Sequence, residues 1–252
     1  MKILKTIILL TIPLLLTGCE GIFGSIYDDP EEPVHTVEGQ MYIDASDWQK
    51  WYYIDLSTLE EDADAEPIIT EMDIPTSRSD ESDGTSGIYN YWFDVWGHGL
   101  SVNHPDEKEP YIPTLIQPEP EKWTFAVHRE VARTNGAEVF KTEYTSMDDL
   151  PESSAAFTDA GFTADEWSER DVWVVQDRML LGTVGCQGIR INQVLSGWIS
   201  CVLPPVPPAY SMDNHVFIVH LPNGKYAALQ LANYLSPSGT RCCLTINYKY
   251  PY

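Results

Sequence analysis

Sulfur and imidazole side chains carry the most distinctive chemistry in this sequence. Past the N-terminal stretch the chain holds Met41, Met72, Met147, Met179 and Met212, and it has six histidines. Such groups are the axial ligands that haem iron takes, provided that an apolar slot lined by rings surrounds the macrocycle. Met179 closes the run "VWVVQDRM" shortly before Gly182. Met212 and His215 flank the start of the last hairpin, after the stiff segment "LPPVPPAY". The plain alternatives are core filling for Met179 and a strand-edge position for His215.

Other chemistries find less support. The hydrolase and nucleotide motifs GxSxG, HExxH and the P-loop are missing. Acidic residues abound, yet no two of them stand out as a pair for glycoside hydrolysis. "DESDG" (Asp80 to Gly84) lacks the spacing and closing glutamate of an EF-hand loop and reads as a solvated acidic loop. His98 and His104 share one segment, without an obvious third metal ligand. Cys186, Cys201, Cys242 and Cys243 form no CxxC pattern, which argues against zinc. In an export compartment these four can form disulfides, with three pairings open. Cys242 and Cys243 are adjacent, so in a strand they face opposite ways, and one of them can reach Cys186 or Cys201.

Export is what the N-terminus predicts. Lys2 and Lys5 precede an apolar run from Ile7 to Leu16 that is too short to span a bilayer, and "LTGC" ends in Cys19. This reads as a lipoprotein signal peptide over residues 1–18, with Cys19 lipidated and the mature chain tethered through acyl chains. Residues 19–39 form an acidic linker, and residues 40–252 form the folded domain. The net charge is −23, and more negative once Lys2 and Lys5 are removed. That excludes nucleic acid and an anionic lipid surface as partners, leaving the lipid anchor as the one membrane contact.

The elements that must position these residues repeat every two residues. "KWYYIDL" (Lys50 to Leu56) reads as a strand after a turn that Ser46 or Asp47 can cap. "WTFAVHREVARTNG" reads as a strand ending at Asn135-Gly136, with Trp123, Phe125 and Val127 on one face and Thr124, Ala126 and His128 on the other. "DVWVVQDRMLLG" (Asp171 to Gly182) reads as another strand. "HVFIVHL" and "KYAALQLANYL" flank Asn223-Gly224, a strong hairpin turn signal. "CLTINYKY" puts Leu244, Ile246, Tyr248 and Tyr250 on one face. Short helices or turns are expected in Ser146–Phe157 and Ile191–Trp198. Residues 60–122 are polar, acidic and proline-rich, which predicts loops around the aromatic island "IYNYWFDVWGHG", itself a strand or lid on the main sheet. The fold class is all-β.

Three blocks together resemble the HmuY family of haem-binding lipoproteins of Gram-negative anaerobes: "YIDASDWQKWYYIDL" (42–56), "WTFAVHREVARTNG" (123–136) and "WISCVLPPVPPAYSMDNHVFIVHLPNGKYAALQL...LTINYKYP" (198–251). The similarity runs from about Gln40 to the C-terminus, with 60–122 as an insertion. It implies two packed, mostly antiparallel sheets with finger-like extensions that form a cleft. It also implies a non-catalytic outer-membrane lipoprotein, exposed at the cell surface, that captures haem for iron acquisition and passes it to a TonB-dependent receptor. Both axial ligands of the founding member are histidines. Asp171–Gly188, where the first is expected, contains only Met179 as a good iron ligand. In Trp198–Tyr210, where the second is expected, Leu203 and Val206 occupy the matching positions, leaving Cys201 (if it is not bridged) and the nearby Met212. His128 falls in the framework block, so the resemblance makes it a sheet residue.

The sequence therefore supports a haem or tetrapyrrole binder, with two alternatives. One is an interaction or ligand-binding module of the same fold without the haem site. The other is a glycan-binding surface protein that uses Trp92 and Trp96.

Overall fold

Asn223 and Gly224 make a turn in the sheet that carries most of the C-terminal half. In this computed structural model, which describes residues 34, 36–62, 65–75, 91–94, 116–175, 183–202 and 209–252, Gly224 has φ +82°, and Asn223 Oδ1 accepts the Lys225 N–H at 3.0 Å. Glycine adopts that φ without a Cβ penalty. The turn joins β13 (Val216–His220) to β14 (Tyr226–Leu235) as the Asn-Gly signal predicts.

Around this hairpin lies a six-stranded sheet A, in the order β1-β15-β14-β13-β7-β8, with β1 at Gln40–Asp44, β7 at Glu138–Lys141, β8 at Thr163–Ala164 and β15 at Arg241–Lys249. All its pairings are antiparallel. Leu244 and Ile246 of β15 are fully buried in the main core, and Tyr248 and Tyr250 pack against it, matching the alternation in the sequence.

A second sheet B is ordered β3-β2-β5-β6, with β2 at Lys50–Asp55, β3 at Ile68–Asp73, β5 at Phe125–His128 and β6 at Val131–Thr134. Its inner face gives Tyr52, Ile54, Phe125 and Val127 to the same core as Phe217, Leu229 and Leu244 of sheet A. The molecule is thus built on two packed antiparallel sheets and is rich in strand.

Three departures from the sequence expectations have physical causes. Block 123–136 is a hairpin rather than one strand. The chain reverses at Arg129-Glu130, where Arg129 takes φ +53°, the left-handed setting that a two-residue hairpin turn demands. Burial also does not alternate along β5, where all four residues are buried. A third sheet C, ordered β4-β10-β9, covers the far side of sheet B, with β4 at Tyr91–Asp94, β9 at Glu166–Val175 and β10 at Thr183–Ile191. Val172, Val174, Ile189 and Ile191 of sheet C share a core with Trp51, Tyr53, Trp123 and Ala126. Trp123 therefore packs on the side opposite to Phe125, not with it. Finally, Ile68–Asp73, expected as loop, pairs with β2 as an edge strand, because its β-branched start suits a pleated surface.

The aromatic island does hold a strand, but β4 pairs with β10 rather than with sheet A or B. A single helical turn α1 (Gln193–Ser196) starts at Asn192, whose Oδ1 accepts the Leu195 N–H at 2.9 Å. Two 3-10 turns at Met147–Asp149 and Ser154–Phe157 occupy the other expected helical stretch. Before β2, Asp47 Oδ1 accepts the Gln49 N–H at 2.8 Å, which closes a turn but starts no helix. No helix among the described residues is long and apolar enough to cross a membrane.

Candidate functional site

The hairpin of β11 (Ile199–Val202) and β12 (Ala209–Met212) stands as its own two-stranded sheet. Ile199 pairs with Met212 and Cys201 with Tyr210, so these four side chains share one face. Ile199 is buried, while Met212, at 37 % exposed, leaves its thioether open. The Cys201 thiol is exposed and bonds the Tyr210 hydroxyl. Partial burial raises its pKa, and the Tyr210 bond, Arg241 and Arg129 only partly offset this, with Glu130 adding to the rise. The Arg241 guanidinium lies 4.5 Å over the Tyr210 ring.

His215 follows three residues later, between β12 and β13. Asp213 Oδ1 accepts both the His215 backbone N–H at 3.0 Å and Nδ1 at 2.5 Å. Lys141 Nζ donates to the other oxygen of the same carboxylate. The Asp213 N–H in turn bonds the Trp198 carbonyl at 2.8 Å. Burial alone would raise the Asp213 carboxyl. The hydrogen bonds from Lys141 and His215 outweigh it and hold the pKa at about 2. The Asp213 carboxylate thus engages Nδ1 and orients the ring through it. That arrangement, a carboxylate behind an imidazole, is how proteins prepare histidine for a metal.

Sequence reasoning singled out His215 and Met212, and the structure brings both to the end of β12. It missed Asp213, although an aspartate two residues before a histidine in "MDNH" is a turn signal that could have found it. Met179, Leu203, Val206, Cys19, His98, His104, Trp96 and the loop Asp80–Gly84 lie outside the described residues, as does the segment expected as the signal peptide.

The four cysteines proposed for disulfides are thiols here, each in a different neighbourhood. Cys186 Sγ donates to the Arg170 carbonyl at 3.5 Å, Cys242 lies 3.7 Å from Glu130 Oε2, and Cys243 lies 3.5 Å from Asp44 Oδ1. The adjacent pair does point to different partners, and Cys242 takes φ +66°. Burial pushes the Cys242 thiol up to about 12 and the Cys186 thiol higher still. Neither is a ready thiolate.

His128 is a sheet residue, 1 % exposed. Its Nδ1 lies 2.9 Å from the Lys50 carbonyl of β2, and its Nε2 lies 3.0 Å from the Trp173 carbonyl of β9. Beside it, the Arg129 guanidinium sits 3.8 Å over the Trp48 ring and donates to the Ser46 carbonyl at 2.6 Å. Trp48 stacks on Trp173 with ring centroids 6.4 Å apart. Glu130, the other turn residue, lies near Cys242 and acts electrostatically on Cys201 and Tyr210. The Arg129-Glu130 turn thus reaches sheet C through Trp48 on one side, and on the other its Glu130 carbonyl accepts the Trp198 indole N–H at 3.0 Å just before β11.

Solved structures with this architecture include a putative lipoprotein from Bacteroides fragilis, at 23 % identity and TM-score 0.58, covering 87 % of this chain and 93 % of that one. A putative HmuY-like heme binding protein from Bacteroides vulgatus matches at 24 % identity and TM-score 0.57, covering 89 % and 99 %. The apo HmuY analog of Tannerella forsythia matches at 21 % identity and TM-score 0.52, covering 87 % and 97 %. At such identities the likeness is one of fold. No curated protein matches the chain. The family model for the HmuY protein matches residues 47–248, which span β2 to β15, and the chain belongs to the HmuY family.

Proposed function

We propose that this protein is a non-catalytic, lipid-anchored binder of haem or a related tetrapyrrole. In this reading it is carried on the outer membrane at the cell surface through Cys19, and it passes its ligand to a TonB-dependent receptor for iron acquisition. The observation that carries the reading is the Asp213–His215 pair, in which the carboxylate engages Nδ1 and orients the imidazole, three residues after Met212 at the end of β12. An imidazole prepared in this way has a purpose if iron approaches it. Family membership supports the ligand class, and the "LTGC" leader supports the anchor.

Titrating the chain lacking residues 1–19 with haemin, in oxidised and reduced states, tests the reading through the Soret band. A saturable shift is expected, weakened by His215→Ala. Met212→Ala and Met179→Ala then report whether a thioether takes the second position. No saturable shift in either state overturns haem binding and leaves the family fold serving another ligand.

A further inference from the structure

His128 and Arg129 both bear on one residue of sheet C. The imidazole reaches the Trp173 carbonyl, and Arg129 holds Trp48, which stacks on the Trp173 ring. Through its other nitrogen His128 meets the Lys50 carbonyl. One buried ring therefore joins β9 of sheet C to β2 of sheet B, with the Trp51 ring 5.4 Å away.

A neutral imidazole owns a single N–H. Facing two carbonyl oxygens, it donates to one and sets a lone pair against the other. The imidazolium satisfies both, but only by carrying charge where water is excluded. Burial dominates and lowers the His128 pKa, against the two carbonyls and Glu130, with Arg129 adding to the fall. The charged groups around the ring are few. Glu130 and Arg129 come from the turn and oppose each other. The Lys50 ammonium on β2 is paired with Glu71 of β3 at 2.6 Å. On β9, the Asp171 carboxylate bonds Ser168 and Gln193.

We propose that the His128–Trp173 contact is an acid-released joint that seats sheet C on sheet B. When β9 lifts away, His128 gains water, and its proton affinity returns to that of an ordinary histidine. The seated state is then favoured while the ring is neutral, above about pH 6.5. It loses ground as pH falls through that value, because protonation selects the lifted state. The strands so released flank the sequence segment that contains Met179. The joint does not depend on the haem reading, since it concerns the seating of sheet C whatever the protein binds.

Hydrogen exchange of the full chain at pH 7.5 and 5.5, corrected for intrinsic rates, tests the joint. One proton linked to an ordinary histidine value raises the open population by up to about tenfold across that interval. The β9 and β10 amides should lose protection accordingly, while those of β13 and β14 should not. His128→Gln keeps a donor without a titrating ring, and its β9 and β10 protection should not differ between the two pH values. Equal protection at both values in the natural chain, or a pH-dependent loss that survives in His128→Gln, overturns the proposal. Should that variant not fold, an NMR titration of the His128 ring decides. A pKa below that of an ordinary histidine supports the joint, and one at or above it overturns it.

Discussion

His215 Nδ1 hydrogen-bonds Asp213 Oδ1 across 2.5 Å, on a carboxylate already held by Lys141. The pair sits where the chain leaves β12 for β13, so local chain geometry and prepared imidazole come from the same two residues.

Asp213 should register in acid stability. Its pKa in the folded chain lies at about 2, below that of a free aspartate near 3.9. The stabilisation is therefore present above about pH 4 and is lost as pH falls toward 2. Urea unfolding of the natural chain and Asp213→Asn should differ at pH 6 and converge at pH 2. A gap that is independent of pH would contradict the ionised pair.

Gln187 should prove costly to replace. It is 3 % exposed, accepts the Trp51 indole N–H at 2.9 Å and donates to Gln117 Oε1 at 3.1 Å. Gln187→Met keeps the volume but leaves the indole N–H without an acceptor between sheets B and C. A loss of about 1–3 kcal/mol is expected in chemical denaturation.

Arg129 separates a backbone term from a side-chain term. Arg129→Ala and Arg129→Gly both lose the stack on Trp48 and the bond to Ser46, worth about 1–3 kcal/mol together. Only alanine keeps a Cβ at φ +53°. Arg129→Gly should therefore be the more stable of the two by about 1 kcal/mol, reduced by the greater freedom of glycine in the unfolded chain. Thermal melts of the three proteins measure the order.

Thiol labelling should pick out Cys201. It is exposed, whereas Cys186, Cys242 and Cys243 are buried. Mass spectrometry of peptides after native alkylation should find Cys201 modified, slowly at pH 7 because its thiolate is disfavoured, and the other three modified only after unfolding. A disulfide-linked peptide containing any of the four would contradict the structure.

The C-terminal hairpin was legible from its Asn-Gly turn, although a second cluster around Phe157, Val216, Ile218 and Ala228 covers the other face of sheet A there, and β15 was legible because Leu244 and Ile246 enter the main core while Asn247 and Lys249 are less buried. Sheet B was less legible because both its faces are covered. A strand apolar on both sides has no period of two, and Trp123 was assigned to the wrong side for that reason. The turn at Arg129-Glu130 contains no glycine, asparagine or proline, so nothing local announces it. β3 was hidden by its acidic flanks. At the candidate site, residue type singled out His215 and Met212 as candidates. The part played by Asp213 lies in an angle and a distance, which composition does not carry, and counting cysteines could not tell a bridge from four separate thiols.

Sheet B closes its ladder by pairing Tyr53 with Ala126, residues on either side of the 60–122 stretch. Loop-closure entropy grows only with the logarithm of chain length, about 0.6 kcal/mol for each doubling. Outside β3, β4 and the buried Ile74 and Gln117, added length in that stretch therefore costs little closure entropy, and evolution can insert residues there while the strands it links stay in register.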